Sequence, residues 1–160
     1  MEYTTLGKSL RISRILTGLW QIADMERDGR SFSLDKAAEA MQPYAEAGLR
    51  TFDMADHYGS AEIIAGKFKN NYAKPEDIQL LTKWVPEPGK ISKSDVREAI
   101  NRALDRMQAK QIDLMQFHAW NYADPNWLDT LHWLQDLKKE GLVKEIGLTN
   151  FDSAHLEMAL

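Results

Sequence analysis

The sequence contains no cysteine. Disulfides and thiolate zinc sites are therefore excluded. It has no basic excess either: 20 lysines and arginines against 24 acids leave a net charge of -4, which argues against a nucleic-acid binder. No apolar run approaches the roughly 20 residues of a membrane helix. The start, Met1-Glu-Tyr-Thr-Thr, has neither the basic region nor the apolar core of a signal peptide. These absences lead us to expect a cytoplasmic protein. No Gly-x-Gly-x-x-Gly follows a strand, which disfavours a dinucleotide-binding doubly wound sheet. What remains is 160 residues, 44% hydrophobic and 28% charged, the profile of one soluble globular domain.

The chain reads as a hairpin followed by repeated strand–helix units. Residues 3–13 form the hairpin, two short β-prone arms around Gly7-Lys8. The first parallel strand is Ile15–Trp20, followed by a polar loop from Ala23 to Phe32. Ser33 is suited to cap a helix over Leu34–Ala47, kinked at Pro43 and stopped by Gly48. Further strands are expected at Leu49–Met54, Ile78–Trp84, Ile112–His118 and Val143–Leu148. Helices alternate with them, at Ser60–Phe68, from Ser94 or Asp95, from an Asp124 cap to Gly141, and after Asp152 or Ser153. The strands are apolar on both faces, the pattern of parallel strands covered by helices. The expected fold is α/β: a parallel (β/α)8 TIM-barrel type, truncated after strand 5, with an N-terminal β-hairpin. Such a barrel takes about 250 residues. On this reading residues 1–160 form a single incomplete barrel domain, with the hairpin at 3–13 and βα units over 15–160.

Polar and aromatic groups gather where the strands end, the pole at which barrels do chemistry. The strand ends contribute Gly18, Trp20 and Gln21, then Asp53, Asp56, His57 and Tyr58, then Lys83 and Trp84, then His118 and Trp120, and finally Thr149 and Asn150. A phenol with a pKa near 10 is a poor acid at neutral pH, and a neighbouring ammonium lowers that value. A carboxylate beside the ammonium keeps it charged and in place. A histidine at the same mouth can hydrogen-bond a substrate oxygen. Asp53, Tyr58, Lys83 and His118 thus form a plausible proton-delivery set for a carbonyl. None of them donates hydride, so a reductase reading requires a cofactor. Trp20, Trp84 and Trp120 suggest an apolar or sugar-stacking substrate mouth.

These segments resemble the aldo-keto reductases, NADPH-dependent (β/α)8 barrel enzymes. The resemblance covers essentially the whole chain, with the motifs in order. It is carried by Tyr3-Thr-Thr-Leu-Gly-Lys8, Gly18-Leu-Trp-Gln21, Gly48-Leu-Arg-Thr-Phe-Asp-Met-Ala-Asp-His-Tyr-Gly-Ser-Ala-Glu62, Leu81-Thr-Lys-Trp84, Ile112-Asp-Leu-Met-Gln-Phe-His118 and Ile146-Gly-Leu-Thr-Asn-Phe151. It implies Tyr58 as proton donor, Lys83 as the partner that lowers its pKa, Asp53 as anchor of that lysine, and His118 as the group orienting the substrate carbonyl. Thr149 and Asn150 would hold the nicotinamide carboxamide, and Gly18, Leu19 and Trp20 would lie against its ribose. Two small departures are Thr149 where the family usually has Ser and Leu19 where it often has Thr. A larger one is that the family holds the cofactor phosphates on later strands of the barrel, which this sequence does not contain.

The expected function is therefore NADPH-dependent reduction of an aldehyde or ketone, weak or lost in this chain alone. Its partners would be a small carbonyl substrate and, through open strand edges, a second copy or a complementing chain. One alternative is a non-catalytic, cofactor-binding or regulatory remnant. Another is a metal-dependent barrel hydrolase using Asp53, Asp56, His57 and His118, which would leave Tyr58 and Lys83 idle.

Overall fold

The computed structural model describes residues 1–21, 28–29, 33–120, 122 and 125–160. The hairpin forms as expected. Strands β1 (Tyr3–Leu6) and β2 (Leu10–Ser13) pair antiparallel, with Leu6 opposite Leu10. The second sheet holds β3 (Thr17–Gly18), β4 (Thr51–Asp53), β5 (Gln79–Trp84), β6 (Ile112–His118) and β7 (Val143–Thr149). All neighbours are parallel and their spatial order is the chain order. A doubly wound sheet reverses its strand order part-way. This one never reverses, which is the winding of a barrel wall.

Strand alternation divides the side chains between two environments. Phe52, Leu80, Met115 and Phe117 point to the helices and build the main core with residues such as Ile64, Phe68, Ile100 and Leu134. On the concave face, Leu81 and Leu114 meet Leu10 and Ile12 of the hairpin in a second, smaller cluster. The hairpin thus plugs the floor of the wall. It is pinned there by polar contacts: the Ser13 amide donates to Thr51 Oγ1 at 2.9 Å, and the Lys8 amide to Glu145 Oε1 at 3.1 Å. With the floor sealed by aliphatic groups, the concave residues one step further along each strand face the open end.

The helices differ from expectation in instructive ways. The segment expected as one kinked helix over Leu34–Ala47 is two, α1 (Leu34–Glu39) and α2 (Gln42–Glu46). The break precedes Pro43 and places it in the first turn of α2. There its missing N–H costs nothing, whereas mid-helix it would remove a bond. Gly48, at φ 89°, ends α2 as sequence suggested. Its amide bonds to the Ala45 carbonyl and the Leu49 amide to that of Tyr44, a Schellman arrangement. Helix α3 (Ala61–Asn71) leads through a 3-10 turn at Pro75–Asp77 into β5.

Helix α4 (Lys93–Met107) starts before the expected Ser94 or Asp95, because Ser92 and Asp95 form a reciprocal capping box. Helix α5 (Asn126–Lys139) ends at Gly141. Its expected cap, Asp124, lies outside the described residues, as does most of the Ala23–Phe32 loop. Asp152 caps α6 (Ser153–Ala159), accepting from the His155 amide. Among the described residues no helix is long and apolar enough to cross a membrane.

Candidate active site

The concave, upper residues of four strands are joined by hydrogen bonds. Lys83 Nζ donates to Asp53 Oδ2 and to the Met54 carbonyl, each at 2.6 Å. Gln116 Nε2 donates to the other carboxylate oxygen, Asp53 Oδ1, at 3.3 Å. Thr149 Oγ1 in turn donates to Gln116 Oε1 at 3.3 Å. A continuous path therefore runs from β7 through β6 to the Asp53–Lys83 pair. Both charges of that pair are mostly removed from water, with side chains 11% and 26% exposed. In such a place the two bonds hold the lysine head group fixed. Sequence reasoning missed Gln116. Its signal was parity: it shares the concave face with His118, two residues later in an otherwise apolar strand.

Tyr58 hangs over this pair from the loop between β4 and α3. Its amide bonds to the Ala55 carbonyl, and its own carbonyl accepts from Ala61. The ring meets Trp20 edge to face at 4.7 Å and His57 at 4.8 Å, and Lys83 Nζ stands 5.3 Å from its centroid. The phenol titrates above its ordinary value, first because it is buried and second because the Asp53 carboxylate faces it. Sequence led us to expect lowering by Lys83. The difference has a physical cause: burial of the ring and the Asp53 carboxylate facing it outweigh the ammonium.

His118 closes the opposite side. Its ring stacks on Trp120 at 4.9 Å, and its Nε2 lies 2.8 Å from Asn150 Nδ2. Its Nδ1 is buried without a hydrogen-bond partner. Burial, then the charges of His57 and Lys83, push the imidazole below its ordinary value, against a weaker opposite pull from Asp56. The ring is therefore neutral at pH 7. A lowered folded pKa means that stability from the neutral ring is full above the unfolded value near 6.5 and is lost as pH falls through the folded one. We expect His57→Asn to move the His118 midpoint up, read by NMR titration of the ring protons. A midpoint that stays put would remove His57 as a cause.

The other expected site residues divide. Asn150 takes a left-handed backbone (φ 65°), and its carbonyl accepts from Tyr122 Oη at 2.5 Å. Gly18 is at the mouth, with nothing within 4 Å of where a Cβ would stand. Trp20, 37% exposed, and Trp120, 66% exposed, flank the opening. Leu19 is not at the mouth: its side chain is buried in the main core, and its amide bonds to the Asp53 carbonyl at 3.0 Å. Trp84 does not line the mouth either. It follows Lys83 directly, so alternation turns it to the helical side, where it packs against Phe117 at 5.9 Å. A groove of about 550 Å³ opens beside His57 and Trp120, bordered by Pro86, Ile91 and Trp127. Asp56 faces His57 Nδ1 at 3.1 Å, the Val85 amide and Arg102, and among the described residues no three acids or histidines are grouped to hold a metal ion.

This geometry has relatives. The aldo/keto reductase family profile matches residues 14–160. The chain belongs to the aldo/keto reductase family. A methylglyoxal reductase of Escherichia coli O157:H7 is 30% identical over 88% of this chain and 46% of its own length. An aflatoxin B1 aldehyde reductase of Rattus norvegicus is 32% identical over 78% of this chain and 35% of its own. The chain thus spans less than half the length of these two curated relatives. A solved thermostable aldo-keto reductase in complex with the inhibitor epalrestat superposes with a TM-score of 0.81 at 26% identity, over 99% of this chain and 57% of that one. A holo form from Bacillus halodurans gives 0.78 at 28% identity. The parallel sheet and its hairpin are accordingly a portion of this family's TIM barrel.

Proposed function

We propose that this aldo/keto reductase chain carries the carbonyl-reducing end of an NADPH-dependent reductase. The observation that carries the reading is the Asp53–Lys83 pair set beneath the Tyr58 ring at the strand ends. The residues present suit a nicotinamide. Gly18 leaves open space, Trp20 offers a flat wall, and Thr149, Gln116 and Asn150 present hydroxyl and amide groups to a carboxamide. When bound, the cofactor supplies hydride to the carbonyl carbon.

The chain's own residues do the rest. Tyr58 gives its phenolic proton to the carbonyl oxygen as that oxygen gains charge, and solvent returns the proton afterwards. Lys83, held by Asp53, stabilises the phenolate left behind. His118, neutral, would orient the carbonyl by donating from Nε2 in place of its present contact with Asn150. Trp20 and Trp120 limit water at the opening.

The test is direct. The chain mixed with NADPH and a small aldehyde should oxidise one NADPH per alcohol formed. Methylglyoxal, the compound named in one relative's activity, is the first probe. Folded protein that oxidises no NADPH with any of a panel of aldehydes would overturn catalysis. Cofactor binding without turnover would instead indicate a binding module.

A further inference from the structure

Glu62 belongs to the family-like motif but has no part in the chemistry above. It is a carboxylate with 0% exposure in the first turn of α3. Thr82, the residue before Lys83, donates its hydroxyl to Glu62 Oε1 at 2.5 Å. The other oxygen, Oε2, forms an ion pair with Arg106 Nε at 3.1 Å, out of line for a hydrogen bond. Arg106 stands one residue from the end of α4, and its two remaining nitrogens turn to the Tyr58 loop. One donates to the Asp56 carbonyl at 3.3 Å and the other to the Gly59 carbonyl. These carbonyls bracket Tyr58. The planar guanidinium can lie against a carboxylate on one side while its two terminal nitrogens serve main-chain oxygens on another. Burial raises the Glu62 carboxyl above its ordinary value, against the opposing pull of Thr82 and Arg106. Removing one partner of such a buried pair leaves the other uncompensated, so the two hold each other in place.

We propose that Arg106, paired with the Glu62 carboxylate that Thr82 holds, is the positioning residue that sets Tyr58 over the Asp53–Lys83 pair. Thr82 and Lys83 are neighbours on β5, so one strand fixes the ammonium directly and, through Glu62 and Arg106, the loop that carries the phenol. The two halves of the proton-delivery set thereby share one rigid reference. This inference rests on the reading of Tyr58 as proton donor for its functional meaning, and on geometry alone for the positioning.

The experiment uses the full chain with Arg106→Met, Arg106→Lys and Glu62→Gln, read by amide hydrogen exchange and by the Tyr58 ring resonances. We expect Arg106→Met to speed exchange at the Tyr58 and Ala61 amides, which close the loop's turns, by about tenfold or more. Protection in β5 and β6 should hold, and the Tyr58 ring signals should shift. Arg106→Lys should not restore both carbonyl contacts. Glu62→Gln should act at the same amides to a smaller degree, and serves as the decisive variant if Arg106→Met fails to fold. Unchanged exchange at Tyr58 and Ala61 in a folded variant would overturn the proposal. So would acceleration spread equally over β5 and β6, the mark of a merely structural pair. Where turnover is measurable, kcat should fall with KM nearly unchanged. The two readings fail separately: a Tyr58→Phe chain with full activity ends the proton-donor assignment, while the exchange pattern decides the positioning.

Discussion

Tyr58→Phe is expected to cut carbonyl reduction by about 10²–10⁴-fold, the usual worth of one positioned general acid. Only a hydroxyl is lost. The ring's edge contacts with Trp20 and His57, at 4.7 and 4.8 Å, survive the change, so the mouth keeps its shape. NADPH affinity should stay within a factor of about two, since the substitution removes no group assigned to the cofactor. The drop should appear in kcat. The phenol titrates above its ordinary value here, so it is protonated across the neutral range and ready to donate. Asp53→Asn should bring that value down, because the carboxylate is one of its two causes. Steady-state rates for Tyr58→Phe with cofactor titrations alongside check the prediction. A rate within a factor of about three of the parent would transfer the proton-donor role to another group.

Gly66→Ala is expected to destabilise the chain by about 2–4 kcal/mol. Helix α3 crosses the end of α4 with Gly66 at the contact. A Cβ there would stand 2.2 Å from the Met107 carbonyl oxygen and 2.5 Å from Met107 C and Cα. These are backbone atoms, so no rotamer change relieves the clash and the two helices must part. Alanine's better helix propensity returns about 1 kcal/mol, less than the overlap costs. The site feels the change as well. Gly66 is one turn beyond Glu62 on the same helix face, and Met107 follows Arg106, so separating the helices pulls on the buried Glu62–Arg106 contact. Urea unfolding of the two chains checks this, and an unchanged or higher midpoint would contradict it.

How far the sequence was legible follows from which interactions are periodic and which are not. Reading the strand ends made visible the gathering of Asp53, Lys83, His118 and Thr149 at one pole. Alternation, which that reading did not apply, excludes Trp84 from the same face, because two adjacent strand residues cannot share it. Leu19 was assigned to the mouth by resemblance, yet its position against the core is a tertiary fact. Gln116 was legible by parity and was passed over for the more conspicuous histidine beside it. Pro43 was read as a kink; that it starts a new helix depends on how the chain turns at Ala40–Met41, where no residue type announces a break. The Glu62–Thr82–Arg106 contact joins two helices and a strand across 44 positions, and no local pattern carries such a pairing. Nor could sequence settle the direction of the Tyr58 shift, which depends on how far the ring is buried and on the Asp53 carboxylate facing it.

The central claim is that this chain itself presents a nicotinamide site at the mouth formed by Gly18, Trp20, Tyr58, His118 and Asn150. The most direct test is an NADPH titration of the purified, folded chain followed by tryptophan fluorescence, since Trp20 and Trp120 flank the opening. The account predicts saturable quenching that is much reduced in a Trp20→Phe chain and unaltered in affinity by Tyr58→Phe. Linear, non-saturating quenching of a folded sample would contradict it.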